Sequence, residues 1–176
     1  TLKGEIPNYI TINDPGEASN RSYFGFNDGL AAWVMRPIEA VYRFIFPHFL
    51  RDKFGNMERN LQWPGHLINN LLQGKYKFAG VETARFVVNS TIGILGLFDV
   101  ATPMGMDAHP EDFGKTFAAW GSGPPNYFEV PFIGPTNGRD FGGWIPDRIF
   151  DPTTYLGGFF FTINDLSFHI DDYMRL

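Results

Sequence analysis

The side chains of this sequence that are able to do chemistry are scattered, and their spacing excludes most reactions. His48, His66, His109 and His169 lie far apart, and none falls into a metal-ligand spacing such as HxxxH, so no metal site is expected. Ser122 sits in Gly-Ser-Gly-Pro, without the strand–GxSxG–helix context of a hydrolase nucleophile. Asp107 and His109 are near neighbours in the chain, an arrangement that rarely forms a triad. Gly93-x-x-Gly96 is followed by neither Lys nor Ser/Thr and is no phosphate loop. There is no cysteine, which removes disulfides, thiolate metal sites, a Cys nucleophile and any cysteine that could carry a lipid anchor. No catalytic residue and no enzyme are expected.

Polar residues set in apolar helical stretches are more informative. Arg85 in a helix touching lipid would cost at least ~2.5 kcal/mol. It therefore faces a water-filled lumen, where it attracts phosphate, or pairs with Glu82 or a distant acid such as Asp99 or Asp140 to hold two helices together. Asn69, Gln73 and Asn89 are amides on otherwise apolar segments, and a buried amide must find partners or water. They line a channel or cap neighbouring helix ends. Arg85, Asn89, Glu82, Asn69 and Gln73 are the candidates for a polar path.

These residues must be positioned by a chain of 176 residues, enough for one domain. The net charge of -5, with scattered basic residues, leaves no footprint for nucleic acid. Aromatics make up 17% and charged residues only 19%, against an average nearer ~25%. This composition fits either a small aromatic-rich core or a surface not meant for water. No stretch spans a bilayer: the uncharged apolar run Phe86 to Phe98 contains Asn89, Ser90, Thr91 and two glycines, and is short of the roughly 20 residues needed. Thr1-Leu2-Lys3 shows no signal peptide, so the sequence reads as a mature or trimmed form.

Along the chain, residues 1–13 read as an irregular lead-in and 14–176 as a single helical domain. Asp14 caps and Pro15 begins a helix toward Met35, broken near Gly25 or Gly29, and Arg36-Pro37 starts the next. There Ile38, Val41, Tyr42, Ile45, Phe46 and Phe49 form a wide apolar stripe, with Glu39 and Arg43 on the other face. Pro47 kinks or restarts that helix. Helices follow over 49–61, 64–72 and 75–92, then a helical turn near 97–101 and a short helix over 110–120. Helix returns over 135–150, interrupted at Gly142-Gly143 and Pro146. A last apolar stripe comprises Phe159, Ile163, Leu166, Ile170 and Tyr173. Between these, Gly121 to Pro135 is too rich in Gly and Pro for helix and reads as an extended, apolar, hairpin-like loop. Hinges at Gly121 and Gly134 flank Tyr127, Phe128, Pro131 and Phe132, which makes the loop either a gate or a proline-stiffened packing element.

The fold class is all-α, in short amphipathic pieces. A helix of ten to fifteen residues is about 15–22 Å long and reaches through one leaflet of a hydrocarbon layer about 30 Å thick. Such helices make a ring or channel in one membrane leaflet, apolar outward and polar inward, or a soluble bundle with a common core. Periodicity does not separate the two. In the ring, Phe44, Phe46, Phe49 and Trp33 contact the membrane, and Trp33, Trp63, Trp120 and Trp144 suit headgroup depth.

The motifs, in order, resemble the MlaA (VacJ) family of outer-membrane lipoproteins. They are Asp14-Pro15, Glu17, Asn20-Arg21, Phe26-Asn27, Arg36-Pro37, Tyr42, Pro47, Asn60-Leu61, Pro64, Asn69 and Leu72-Gln73-Gly74. Arg85-Phe86, Asn89, Gly93, Gly96, Asp99-Val100-Ala101, Phe113-Gly114, Thr116, Gly121, Tyr127, Pro131, Gly134-Pro135 and Arg139-Asp140 follow. Each is weak alone; their ordered succession from Asp14 to Gly143 is specific, while 144–176 matches loosely. The resemblance implies a ring-like channel in the inner, periplasmic-side leaflet of the outer membrane, associated with a trimeric porin. It implies that mislocalised phospholipid passes from the outer leaflet to a soluble periplasmic carrier, which feeds an inner-membrane ABC transporter and so maintains lipid asymmetry. Bound phospholipid is the only ligand implied, and no cofactor. Three departures stand out: no lipobox cysteine, Ser19 where the family has an aromatic before Asn-Arg, and an end before the family's C-terminal Asp-Pro-Tyr segment. Two other readings remain, a porin-bound structural protein that braces the membrane and a phospholipase using Ser122.

Overall fold

A computed structural model describes residues 14–123 and 126–156. Helix α1 (Glu17–Leu30), a π-helical turn (Ala31–Met35) and α2 (Arg36–Ile45) follow one another without a break. The break expected at Gly25 or Gly29 is absent; α2 starts at Arg36-Pro37 as expected, but with no gap after the π-helical turn. A glycine costs a helix about 1 kcal/mol but does not end it. Pro37 has no N–H to reach back one turn, and the chain widens just before it, the Arg36 N–H bonding Ala31 O five residues back. Asp14 does not cap α1 directly. The N-cap is Gly16, and the Asp14 carboxylate accepts from the Gly16 N–H at 3.2 Å and the Asn20 amide at 2.6 Å.

Pro47 ends this run. Phe46 takes φ -110 and ψ 99, the extended shape forced on a residue before proline. Then come α3 (His48–Leu61), α4 (Trp63–Leu72) and α5 (Tyr76–Thr91). Gly74, at φ +73, closes α4: its N–H bonds Leu71 O and the Lys75 N–H bonds Asn70 O. Beyond α5 the chain turns through Ile94, Leu95 and Gly96, all with positive φ. The turn expected at 97–101 is displaced to a 3-10 turn at Thr102–Met104.

Helix α6 (Phe113–Ala119) is capped by Asp112, whose carboxylate accepts the Lys115 N–H at 2.7 Å. The Gly/Pro-rich loop, expected to be hairpin-like, contains an antiparallel hairpin, β1 (Tyr127–Val130) and β2 (Gly134–Asn137), whose second strand takes up 135–137 of the span expected as helix. Helix α7 (Gly138–Phe150) starts at an Asn137 cap and runs unbroken through Gly142, Gly143 and Pro146, against expectation. Gly143 is where α7 crosses α6: a Cβ there would lie 2.6 Å from Gly114 N. Its role is close approach, not interruption. The lead-in 1–13 and the stripe from Phe159 to Tyr173 lie outside the described residues.

Burial is inverted relative to a water-soluble bundle. Among the described residues, the buried polar or charged side chains are eleven (Asn20, Glu39, Arg51, Asn60, Asn69, Asn70, Glu82, Asn89, Thr116, Glu129, Thr153) and the buried apolar ones four (Tyr42, Ala79, Ala101, Phe113). On α2, Glu39 is 4% exposed while Phe44 is 90% exposed. Of the apolar stripe, Ile38, Val41, Ile45 and Phe49 point outward, while Tyr42 and Phe46 turn inward beside the buried Glu39, a division that periodicity alone had left open. No helix among the described residues is long and apolar enough to cross a membrane.

Candidate functional site

The inward polar groups meet at a cavity of about 290 Å³. Helix α5 presents Glu82, Arg85, Phe86 and Asn89 to it, residues spaced i, i+3, i+4 and i+7 on one helix face. Helix α3 adds Asn56, Arg59 and Asn60, α4 adds Trp63 and His66, and the chain after α5 adds Asp99 and Thr102. Trp63 and Phe86 stack with ring centres 4.4 Å apart and make one apolar wall.

Arg85 resolves to the ion-pair arrangement with one of the acids considered. Its Nη2 lies 3.2 Å from Asp99 Oδ2, and Nη1 donates to Thr102 Oγ1 at 3.0 Å and to Met106 O. Asn89 completes the joint: Nδ2 donates to Asp99 Oδ1 at 3.1 Å, and Oδ1 accepts the Val100 and Ala101 N–H groups at 2.9 Å each. Burial pushes the Asp99 carboxyl up. The hydrogen bonds from Thr102 and Asn89 and the Arg85 charge outweigh it and hold the pKa at about 2. Glu82 is nearly buried, accepts the His109 N–H, and lies 3.7 Å from His66 Nδ1. Burial raises its pKa, but the histidine neighbours and Arg85 together leave it lowered, so Glu82 is charged at neutral pH.

Asn69 and Gln73 lie elsewhere. Asn69 Oδ1 accepts from Thr116 Oγ1 at 2.7 Å and its amide donates to Gly65 O, while Gln73 donates to Thr116 and Glu111. Both fasten α4 to α6. At the cavity Arg59 was not singled out from sequence, while Trp63 was named only for headgroup depth and His66 only as one of four scattered histidines. Arg59 sits in the polar run Arg-Asp-Lys-Phe-Gly-Asn-Met-Glu-Arg-Asn, where one more charge carries no signal.

The hairpin is tied to α1 by two amides seven residues apart. Asn20 accepts the Glu129 N–H at 2.9 Å. Asn27 accepts the Phe132 N–H at 2.8 Å and donates to Val130 O and Glu129 Oε1. Tyr127 donates to Glu129, Phe128 packs edge-on to Phe141, and the tip residue Phe132 (φ +70) meets Phe26 edge-on. Pro131 precedes that tip and Gly134 (φ +98) follows it. Gly121 (φ +93) closes α6, the Ser122 N–H bonding Phe117 O.

Of the four candidates for membrane contact, Phe44, Phe49 and Trp33 are exposed, whereas Phe46 is half-buried against Tyr42 and Phe54. Trp120 and Trp144 are exposed, and Trp63 is not. Ser122 lines a second cavity of about 640 Å³ between α1, α6, the hairpin and α7, whose lining includes Arg139, Phe117 and Tyr127 but, among the described residues, no histidine or carboxylate.

Inward amides and charges, an outward apolar surface and a polar cavity define a class, the helical proteins built inside-out. A family model described as MlaA lipoprotein matches residues 12–172, and the chain belongs to that family. The match extends past Gly143, beyond the reach of the motifs. The Escherichia coli (strain K12) protein named intermembrane phospholipid transport system lipoprotein MlaA is 32% identical over 82% of this chain and 59% of its own length. An uncharacterised Rickettsia typhi protein is 35% identical over 74% of this chain and 52% of its own. The chain thus spans a little over half the length of these relatives. A solved structure, described as the structural basis for maintenance of bacterial outer membrane lipid asymmetry, matches with a TM-score of 0.70 and 29% identity. That match covers 90% of this chain and 80% of the other.

Proposed function

We propose that this chain carries phospholipid at the outer membrane of a Gram-negative bacterium, removing mislocalised lipid from the outer leaflet and so maintaining lipid asymmetry. The inverted burial carries the reading: apolar side chains such as Trp33, Phe44 and Ile145 face outward while charges surround a cavity within. A lipid in transit needs this division, because its headgroup stays wet while its tails stay dry. The name of the Escherichia coli relative and the subject of the similar solved structure point the same way.

On this reading the protein sits in the periplasmic-side leaflet, beside a trimeric porin, and hands lipid to a soluble periplasmic carrier. It catalyses no reaction, so direction comes from the partner that removes lipid. The hairpin, held by Asn20 and Asn27, is the element that gates the path. The test is extraction of lipid from protein purified in mild detergent, followed by transfer of labelled phospholipid between vesicles. Retained lipid and faster transfer are expected. A protein that binds no lipid is a brace, and fatty-acid release abolished by Ser122→Ala would make it a hydrolase.

A further inference from the structure

The cavity carries two charges that its own walls do not neutralise with a full counter-charge. Arg85 is paired with Asp99 at 3.2 Å and acts on Glu82 only from beyond ion-pair distance. Arg59, exposed at the last turn of α3, has only an amide partner among the described residues, its Nη2 donating to Asn56 Oδ1 at 2.6 Å. Glu82, deep on the opposite side of the exposure scale at 6%, has backbone and histidine neighbours but no Lys or Arg within ion-pair reach among the described residues. One accessible cation and one recessed anion thus line the same pocket, beside the Trp63–Phe86 wall whose ring faces attract an ammonium group. The pocket is charge-complementary to a zwitterion, and at about 30 Å³ per water it holds the equivalent of about ten waters, a headgroup's worth rather than two acyl chains.

We infer that this pocket selects an aminoethyl phosphodiester, the headgroup of a zwitterionic phospholipid, with the phosphate at Arg59 and the ammonium toward Glu82. The inference rests on the lipid-carrying reading and adds the headgroup and its two contacts. A guanidinium binds phosphate oxygens through two parallel N–H groups, and a partly buried carboxylate answers an ammonium. A phosphoglycerol headgroup satisfies Arg59 and leaves the Glu82 charge unanswered.

The experiment loads the full chain from vesicles of equal phosphatidylethanolamine and phosphatidylglycerol, then quantifies bound lipid by mass spectrometry. Phosphatidylethanolamine is expected to be enriched at least about threefold, the scale of one charge pair. Arg59→Gln, at an exposed position, lowers total bound lipid; Glu82→Gln keeps an acceptor for the His109 N–H and brings the bound mixture back to the vesicle ratio. Thermal melting establishes that both variants fold, and the wild-type ratio stands as a test without either. Lipid bound at the vesicle ratio by wild type overturns the headgroup assignment and leaves lipid carriage standing. No lipid bound at all overturns both. Binding of soluble glycerophosphoethanolamine by a chain that extracts no lipid assigns the pocket to a free diester and overturns the lipid reading.

Discussion

Asp99 collects more donors than a surface acid normally does: the side chains of Arg85, Asn89 and Thr102 and the Thr102 N–H. Its pKa of about 2 lies below the ordinary ~3.9 of an unfolded chain. A depressed carboxyl stabilises the fold fully above the unfolded value and stops doing so as pH falls through the folded one. Asp99→Asn is therefore expected to lower the melting temperature at neutral pH, and the gap from wild type should close between pH ~4 and pH ~2. A gap that is constant with pH would mean that the ionised form has no part in the joint. Removing Asp99 altogether leaves Arg85 and Asn89 short of a partner and is expected to cost about 1–3 kcal/mol. At this scale the sequence was only half legible. Arg85 stood out because a charge in an apolar stretch needs a reason, but its partner was one of several acids. Asp99 is delivered by the turn through Ile94, Leu95 and Gly96, and neither isoleucine nor leucine announces a positive φ. Arg59 was hidden for the opposite reason, since it is one of several charged residues between Arg51 and Asn60.

Two neighbouring glycines of α7 separate packing from propensity. A Cβ on Gly143 would stand 2.6 Å from Gly114 N and 3.0 Å from Phe113 C, both backbone atoms, whereas Gly142 has nothing within 4 Å. Gly143→Ala is expected to destabilise by about 1–3 kcal/mol, through forced separation of α6 and α7. Gly142→Ala, which meets nothing, should stabilise by about 0.5–1 kcal/mol through helix propensity. Equal melting shifts for the two would refute the crossing as the reason for Gly143. The hairpin offers a second element-scale test. Asn27→Ala removes the acceptor of the Phe132 N–H and the donor to Val130 O, so amide exchange at Phe132 should accelerate while α5 amides stay protected. Helix existence was legible from apolar spacing and from Pro47 and Gly74. Continuity was not. Gly25, Gly29, Gly142 and Pro37 look like breaks in sequence, yet a glycine only lowers propensity and a π turn absorbs the proline.

For the molecule as a whole, the outward surface and the inward charges form one argument. Residues 17–45 run as a continuous helical path about 43 Å long if straight, more than the ~30 Å of a hydrocarbon core. This corrects the picture of uniformly leaflet-length pieces. Arg21, Asp28 and Arg36 interrupt the path's apolar surface. A path too polar to cross and too apolar on one side for water suits a membrane interface, the seat that the proposed lipid carriage requires. The absence of cysteine makes this measurable, since each introduced thiol is the only one in the chain. Phe44→Cys on α2, Ile145→Cys on α7 and Arg59→Cys at the cavity would be labelled with an environment-sensitive fluorophore and reconstituted in vesicles. At Phe44 and Ile145 the emission should shift to the blue and be quenched by lipids that carry quenchers on their acyl chains. At Arg59 aqueous iodide should quench and the acyl-chain quenchers should not. If iodide reached all three positions equally, the outward phenylalanines would be facing water, and both the membrane seat and the carriage of lipid would fall with them.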